Sequence, residues 1–317
     1  MAWITQPWGL VAAGFLLLIG GGEVLVRGSV SAARRLGVSP LLIGLTIVGF
    51  GTSSPELLTS LTAATAGSPG LAVGNVIGSN IANLLLVVGL AAALRPVPIE
   101  PRAFSRDSAA LMLATIAALA VVMIGRIDTR TGLIFLALLV GYILLAYLQE
   151  RRNAAGEAST ERGRSLAWPL LLTVVGILMT VGGARFLVDG ALTLARQFGL
   201  SETVLGLTLV AVGTSLPELA TTIVAAMRGE SAVALGNAIG SNIYNVLGIL
   251  GVTALVRPIA MPQDLGWVDI IVFAGSAVLV VGLGLAAPRL ERRHGLVMLA
   301  LYAAYIAWLV LGGAGPN

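Results

Sequence analysis

Residues 44–89 read GLTIVGFGTSSPELLTSLTAATAGSPGLAVGNVIGSNIANLLLVVG, and residues 206–251 read GLTLVAVGTSLPELATTIVAAMRGESAVALGNAIGSNIYNVLGILG. The two stretches align without a gap at an offset of 162 positions, and 25 of their 46 pairs are identical. Each is an apolar run with two polar interruptions, Gly-Thr-Ser-x-Pro-Glu and Gly-Ser-Asn-Ile-x-Asn. A carboxylate inside an apolar run is rare, yet it recurs here as Glu56 and Glu218. We therefore predict that the four polar segments meet inside a membrane and form one cation site.

The composition of the chain predicts an integral membrane protein. Of its 317 residues, 57% are hydrophobic and 11% are charged, whereas soluble domains carry about 25% charged residues. Ten apolar runs approach the ~20 residues that a membrane-spanning helix requires. The alternating pattern of a membrane β-barrel is absent. We predict an all-α polytopic membrane protein with ten transmembrane helices.

Two similar halves follow from the repeat. We predict a first five-helix repeat at residues 1–148, a cytoplasmic linker at 149–165 and a second five-helix repeat at 166–317. Five crossings per half is an odd number, so the halves have opposite orientations, and such inverted repeats are typical of transporters. The ten predicted helices span approximately residues 8–36, 41–66, 71–94, 105–124, 131–148, 166–198, 204–227, 232–256, 265–287 and 295–311.

The charged residues predict how the chain lies in the membrane. All 19 basic residues are arginines, of which 14 fall in the odd-numbered connections between helices and 5 in the even-numbered ones. The positive-inside rule then places both termini outside the cytoplasm, in the cell inner membrane. Because the arginines lie between apolar runs rather than on a soluble face, we expect no nucleic-acid binding. The chain has no cysteine, which excludes thiol chemistry.

The first polar segment of each copy has the groups needed to break a helix and bind a cation. Gly51 interrupts the apolar run, and Pro55 allows a new helical turn to begin. We expect this break to free backbone carbonyls near Gly49 and Phe50, which join serine and threonine hydroxyls as hard oxygen ligands. Glu56 adds a negative charge. The second copy offers the equivalent groups at Ala211, Thr214, Ser215 and Glu218.

The two glutamates favour a cation over a purely structural role. A lone carboxylate at mid-membrane costs about 2.5–3.5 kcal/mol on insertion scales, and two together also repel. A bound cation removes both penalties. The structural alternatives are protonation or pairing with an arginine, but no arginine lies in the predicted helix of either glutamate, residues 41–66 and 204–227. With both groups ionised, one calcium or two sodium ions balance the charge, and a third sodium makes exchange electrogenic.

The second polar segment adds neutral oxygens. Asn75, Ser79 and Asn83 are spaced four apart, so they share one helix face. The equivalent residues of the second copy are Asn237, Ser241 and Asn245. These groups suit calcium or several sodium ions, and the lack of thiols argues against zinc or copper. Interhelical hydrogen bonding is the alternative role for each asparagine, and we expect a structural role for the off-face residues Asn80 and Asn242.

Two further charge pairs occur on the long first and sixth helices. Glu23 with Arg27, and Arg185 with Asp189, are spaced i,i+4 with their signs exchanged between the halves. We interpret them as structural ion pairs, with a gating role as the alternative.

The paired polar segments resemble the α-repeats of the cation/calcium antiporter superfamily, in particular the prokaryotic sodium/calcium exchangers. The repeats cover about a third of the chain, and the ten-helix plan extends over all of it. The resemblance implies that helices two, three, seven and eight surround the site. It also implies that the long first and sixth helices slide across this core to alternate access.

The resemblance also implies a ligand set. Its members are Glu56, Glu218, Thr52, Ser53, Ser79, Thr214, Ser215 and Ser241, the carbonyls of Gly49 and Ala211, and the amides of Asn83 and Asn245. Many prokaryotic and potassium-dependent relatives carry aspartate where this chain has Asn245. This departure argues against potassium co-transport and leaves the ion stoichiometry open.

The predicted function is exchange of sodium for calcium by a secondary antiporter, with proton/calcium exchange as the alternative. An intramembrane hydrolase would need a catalytic constellation inside the apolar runs, and the sole histidine, His294, lies at a helix start. An ion channel is disfavoured by the inverted repeats. We expect no enzyme activity and no cofactor. We expect calcium and sodium ions as substrates, lipid as the surrounding medium, and a monomer as the functional unit.

Overall fold

The computed structural model describes residues 7–153, 165–197, 211–262 and 265–313, and it is dominated by helices. The helices are α1 (Pro7–Leu36), α2 (Pro40–Thr52), α3 (Ser54–Thr65), α4 (Pro69–Leu94), α5 (Pro101–Ile124), α6 (Thr129–Asn153), α7 (Ala167–Gln197), α8 (Ala211–Thr214), α9 (Leu216–Arg228), α10 (Ser231–Val256), α11 (Trp267–Ala286) and α12 (Arg292–Trp308). Four two-residue strands connect them: β1 (Val97–Pro98), β2 (Arg126–Ile127), β3 (Ile259–Ala260) and β4 (Arg289–Leu290).

Eight of these helices are long and apolar enough to cross a membrane. A ninth crossing results if α2 and α3, which meet at a bend of 45°, are counted as one span. The prediction of an all-helical membrane protein is therefore confirmed. The predicted seventh helix, residues 204–227, lies partly outside the described residues, which contain only its second part as α8 and α9. Ten crossings thus stay a prediction.

The bounds of several helices differ from the sequence prediction; α5, for example, begins at Pro101 rather than at residue 105. α6 continues to Asn153, although the linker was predicted to begin at residue 149. Glu150 explains part of this extension, because its carboxylate accepts hydrogen bonds from Arg106 at 3.3 Å and from the backbone N–H of Ser39 at 3.3 Å. α12 begins at Arg292 rather than at residue 295. There the ring of His294 accepts a hydrogen bond from the Glu291 N–H at 3.1 Å and caps the helix.

The two long helices α1 and α7 pack closely along a glycine seam. Their glycines recur every seven residues, as Gly14, Gly21 and Gly28 on α1 and as Gly176, Gly183 and Gly190 on α7. A Cβ atom at Gly21 would lie 2.8 Å from the Cβ of Met179, and one at Gly183 would lie 2.8 Å from the backbone nitrogen of Leu18. Any side chain at these positions would therefore force the two helices apart.

The connections between helices contact one another in two sets. β1 pairs with β4, and β2 pairs with β3, in both cases antiparallel. The Arg95 side chain, just before β1, donates to the carbonyl of Met227 at the end of α9. The Arg257 side chain, just before β3, donates to the carbonyl of Thr65 at the end of α3. Each set therefore joins the first half of the chain to the second.

Each half also contains a tyrosine–aspartate hydrogen bond between its last two helices. Tyr142 of α6 donates to Asp107 of α5 at 3.0 Å, and Tyr305 of α12 donates to Asp269 of α11 at 2.7 Å. The two aspartates are separated by the same 162 positions as the polar segments. These pairs were not predicted from the sequence, in which the repeat offset relates the two aspartates but the two tyrosines are 163 positions apart.

One of the two predicted charge pairs is present. Arg27 and Glu23 form an i,i+4 ion pair at 2.6 Å, and Glu23 also contacts Arg228 at the end of α9. In the part of the chain that the structure describes, Arg185 and Asp189 form no ion pair with each other, so that prediction is wrong. Both side chains are exposed, where pairing contributes little.

Candidate cation-binding site

Both copies of the first polar segment interrupt a helix at a serine. Ser53 separates α2 from α3, and Ser215 separates α8 from α9. The two serines share nearly the same backbone conformation, with φ/ψ of −82°/11° and −87°/5°. Each break places a proline at the second position of the next helix and a glutamate at the third. The repeat in sequence is therefore a repeat in local structure.

The helix bends at Ser53 but does not unwind. The Gly49 carbonyl still accepts the backbone N–H of Ser53 at 3.1 Å, and it also accepts the hydroxyl of Ser241 at 3.3 Å. The Phe50 carbonyl accepts the hydroxyl of Ser54 at 3.3 Å. The expectation that the break frees these carbonyls is wrong, because serine hydroxyls and a continuous turn occupy them. The Thr52 hydroxyl also lies 3.3 Å from the Gly49 carbonyl, so a cation at this oxygen would have to replace a hydroxyl donor.

The carboxylates of Glu56 and Glu218 lie in the same buried region, and both side chains are 0% exposed. Each is bound by the break serine of the other half. The Ser53 hydroxyl donates to Glu218 Oε1 at 2.7 Å, and the Ser215 hydroxyl donates to Glu56 Oε1 at 3.3 Å. Each glutamate also lies in the first turn of a helix, where the helix dipole stabilises negative charge.

Several buried polar atoms at this place have no hydrogen-bond partner among the described residues. They are Glu56 Oε2, Glu218 Oε2, Ser79 Oγ, Asn245 Oδ1, and both Oδ1 and Nδ2 of Asn83. A buried polar atom left without a partner costs about 1–3 kcal/mol. All of them except Asn83 Nδ2, which is an amide donor, are oxygens with partial or full negative charge, and such oxygens fit a hard cation. The atoms come from both halves of the chain.

The electrostatics of the site are those of a negative centre. Among the residues that the structure describes, no arginine contacts Glu56 or Glu218, and no group of three or more histidine, cysteine, aspartate or glutamate side chains could hold a metal. The described hydrogen-bond partners of the two carboxylates are therefore hydroxyl donors. An acceptor-rich site of this kind suits calcium or sodium better than a transition metal.

Asn75 and Asn237 position the glutamates rather than extend the set of free oxygens. The Asn75 amide donates to the backbone carbonyl of Glu56 at 3.1 Å and to the Ser60 hydroxyl at 2.9 Å. The Asn237 amide donates to the carbonyl of Glu218 at 3.2 Å and to Thr222 at 2.9 Å. Ser60 and Thr222 also occupy equivalent repeat positions. Neither hydroxyl was predicted from the sequence, although their equivalent positions in the repeat could have indicated them.

Asn83 and Asn245 each lie in a π-helical turn, at 82–87 and 244–250. Such turns are rare in proteins as a whole, and those that occur often lie at functional sites. The Asn245 amide donates to Asn80 Oδ1 at 3.0 Å, and Asn80 donates to the Asn242 carbonyl at 3.3 Å. The expected structural role of Asn80 thus agrees with its contacts. They also orient Asn245 so that its carbonyl oxygen stays available.

Two further predicted residues, Thr52 and Thr214, lie at the same centre. Thr52 Oγ1 is 3.1 Å from the Val48 carbonyl and 3.2 Å from Asn237 Oδ1, and the Thr214 hydroxyl is a partner of Glu56. Ala211 is the first residue of α8. The ring of Tyr244 stacks on Phe50 at 4.3 Å beside the bend, a contact that sequence analysis did not identify.

Comparison with known proteins gives a family for this arrangement. The family described as sodium/calcium exchanger protein matches residues 6–148 and 168–311, which is most of the chain and includes both polar segments. The chain belongs to the sodium/calcium exchanger family. It is therefore an integral membrane protein of a transporter family, and its two carboxylates lie in the part of the chain that the family match covers.

Individual relatives agree with this family assignment. The putative antiporter CaxA of Alkalimonas amylolytica is 36% identical over 305 residues, which cover 93% of this chain and 96% of the relative. The sodium/calcium exchanger MaX1 of Methanosarcina acetivorans is 30% identical, with 96% and 99% covered. A solved structure of the sodium-calcium exchanger NCX_Mj superposes with a TM-score of 0.83 at 34% identity, covering 95% of this chain and 97% of that chain.

Proposed function

We propose that this family member exchanges sodium for calcium across the membrane, and that both ions bind between Glu56 and Glu218. One observation carries the proposal: two fully buried carboxylates, one from each half, each with an oxygen that lacks a hydrogen-bond partner among the described residues. Without a cation the pair is costly. A calcium ion or two sodium ions cancel the charge of the pair, so calcium and sodium are expected to compete for the same site.

The proposed ligands are the two glutamates and the oxygens around them. Ser79, Asn83 and Asn245 contribute buried oxygens that have no other described partner. The other proposed ligands are Thr52, Thr214, Ser53, Ser215, Ser241 and the carbonyls of Gly49 and Ala211. Ser53 and Ser215 already donate to the carboxylates, so their lone pairs remain for the ion. Since both carboxylates come from one chain, we propose that a monomer is sufficient.

Two halves of opposite orientation are a common structural basis of alternating access, and the contacts between connections support such halves here. With ten crossings, β1 and β4 both belong to odd-numbered connections, and β2 and β3 both belong to even-numbered ones. The Arg95–Met227 and Arg257–Thr65 hydrogen bonds also join connections of equal parity. Together with the arginine count, this parity supports inverted repeats at residues 1–148 and 166–317 in the inner membrane, with both termini outside the cytoplasm.

The packing of α1 and α7 supports their movement as one body. Their glycine seam joins them closely, and both helices reach the core that carries the site. A Cβ at Gly51, beside the bend, would contact the side chain of Ile177 on α7, and one at Gly22 of α1 would lie 3.3 Å from the Ala220 carbonyl on α9. Sliding of this pair past the two breaks would expose the cation from one side at a time.

Calcium uptake into proteoliposomes tests the proposal. Vesicles loaded with sodium and diluted into sodium-free buffer with radioactive calcium are expected to accumulate calcium, with internal and external pH held equal. Protein-free vesicles and vesicles carrying the surface variant Glu100→Gln are the controls, since Glu100 is exposed and distant from the site in sequence. Uptake that follows only a pH gradient would instead establish proton/calcium exchange at the same carboxylates.

A further inference from the structure

A second charged cavity lies away from the carboxylate pair, at the end of α1. It has a volume of about 240 Å³ and lies between the last turns of α1 and the junction of α9 with α10. Three guanidinium groups line it, those of Arg27, Arg34 and Arg228, together with the carboxylate of Glu230. Its apolar floor is formed by the buried residues Val26 and Val30. We call it the arginine cavity.

The arginine cavity carries an excess of positive charge. Glu23 contacts both Arg27 and Arg228, and Glu230 is the other carboxylate at the cavity. Three arginines therefore face two acids, and Arg95 adds a fourth positive charge beside Gly229. Arg34 has no ion-pair partner in the described part of the chain. An anion is the ligand that would complete this charge balance.

The chemistry of the lining suits an anion with several oxygens, such as a phosphate group. Guanidinium groups present several N–H donors in a fixed plane and bind phosphate oxygens in a bidentate manner. Three such groups come from two separate elements, α1 and the end of α9, so they surround the cavity from different sides. Arg27 and Arg228 keep 63% and 35% of their side-chain surface exposed, which leaves donors free for a ligand.

The depth of the arginine cavity in the membrane matches that of lipid headgroups. The part of α1 from Trp8 to Val26, in which Glu23 is the one charged residue, spans about 28 Å at 1.5 Å per residue, close to the ~30 Å hydrocarbon core. Arg27 follows directly, at headgroup depth, and Arg34 lies about two turns further along α1, roughly 12 Å beyond Val26. Basic pockets between membrane helices are a known means of binding anionic headgroups.

We propose that the arginine cavity is a binding site for a phosphate anion, with an anionic phospholipid headgroup as the ligand that its depth favours. A bound phosphate would bridge α1 to the α9–α10 junction. The site is separate from the cation site, and binding can be measured without transport. Phosphate binding at this site can therefore be tested whether or not the proposed exchange activity is correct.

Native mass spectrometry of the purified protein in uncharged detergent tests this site. We expect one phosphatidylglycerol molecule to bind at least about tenfold more tightly than phosphatidylcholine. Arg34→Gln and Arg228→Gln are each expected to weaken phosphatidylglycerol binding about tenfold or more, the effect of losing one charge-assisted contact. Arg34→Lys retains the charge and is expected to lose less. Arg126→Gln, which removes an exposed arginine outside the cavity, is the matched control and should bind as the wild type does.

A second arm distinguishes the two sources of phosphate. If millimolar inorganic phosphate displaces phosphatidylglycerol from the wild type, the site exists and takes a soluble anion. If inorganic phosphate does not compete, the lipid headgroup is the ligand. Phosphatidylglycerol binding that is unchanged in both Arg34→Gln and Arg228→Gln, with wild-type melting curves for both variants, would overturn the proposal.

Discussion

Glutamine substitution of Glu56 or Glu218 removes one charge from the buried pair while keeping its shape. We expect either variant to lose sodium-driven calcium uptake and to bind calcium about 30-fold or more weakly, because losing one partner of a buried charged contact costs 2–5 kcal/mol. Calcium titration and the vesicle assay measure both effects. Normal uptake in either variant would remove that carboxylate from the mechanism.

The same substitutions are expected to affect stability in the opposite direction when no cation is bound. In calcium- and sodium-free buffer the wild type holds two adjacent buried carboxylates, whereas each variant holds one. The melting temperature of each variant without ions is expected to equal or exceed that of the wild type. Calcium is then expected to raise the melting temperature of the wild type but not that of the variants. Scanning fluorimetry in detergent gives both values.

Ser79 and Asn80 are neighbours that separate a ligand role from a structural role. The Ser79 hydroxyl is buried without a partner among the described residues, while Asn80 bonds to Asn242 and Asn245. Ser79→Ala is expected to keep the ion-free stability and to weaken calcium binding. Asn80→Ala is expected to lower the unfolding free energy by about 1–3 kcal/mol, since it leaves buried groups unpaired. A destabilised Ser79→Ala with unchanged calcium affinity would contradict these assignments.

For individual residues, the sequence identified the candidates but not which of their atoms already have a hydrogen-bond partner. The polar segments could be found because the repeat places Glu56 and Glu218 at equivalent positions in apolar runs. The sequence could not show that the Gly49 carbonyl accepts a hydrogen bond, because the donor, Ser241, lies 192 positions away. Contacts of this kind depend on how α10 packs against α2, which no local pattern contains.

Among the elements, the glycine seam between α1 and α7 offers a matched pair of substitutions. Gly183→Ala would place a Cβ 2.8 Å from the Leu18 nitrogen and 2.9 Å from the Gly14 carbonyl, whereas a Cβ at Gly182 meets nothing within 4 Å. We expect Gly183→Ala to lower stability by about 1–3 kcal/mol and to slow exchange. Gly182→Ala is expected to be neutral, or to stabilise the helix by up to about 1 kcal/mol.

Melting temperature and calcium uptake of these two variants check that expectation. Equal behaviour of Gly182→Ala and Gly183→Ala would contradict the tight seam. The seam itself could have been predicted from the sequence, because its six glycines recur every seven residues and at the 162-position offset. The spacing alone, however, does not say which helix the glycines face. That required the packing of two elements about 160 residues apart.

The molecule as a whole is predicted to place its two sets of connections on opposite sides of the membrane. The chain has no cysteine, so single cysteines report their side without background. Ala66→Cys, in an even-numbered connection, is expected to react with an impermeant maleimide in intact spheroplasts. Arg289→Cys, in an odd-numbered connection, is expected to react only after permeabilisation. Labelling of both from outside would contradict inverted repeats.

The central claim is that one cation binds between the two halves, and its location can be measured directly. Crystals of the protein soaked with calcium are expected to show one strong anomalous peak with oxygens of both Glu56 and Glu218 at about 2.3–2.6 Å, the range of calcium–oxygen bonds. The peak is expected to vanish in Glu218→Gln. A calcium peak elsewhere, or carboxylates that turn away from each other around an empty site, would contradict the claim.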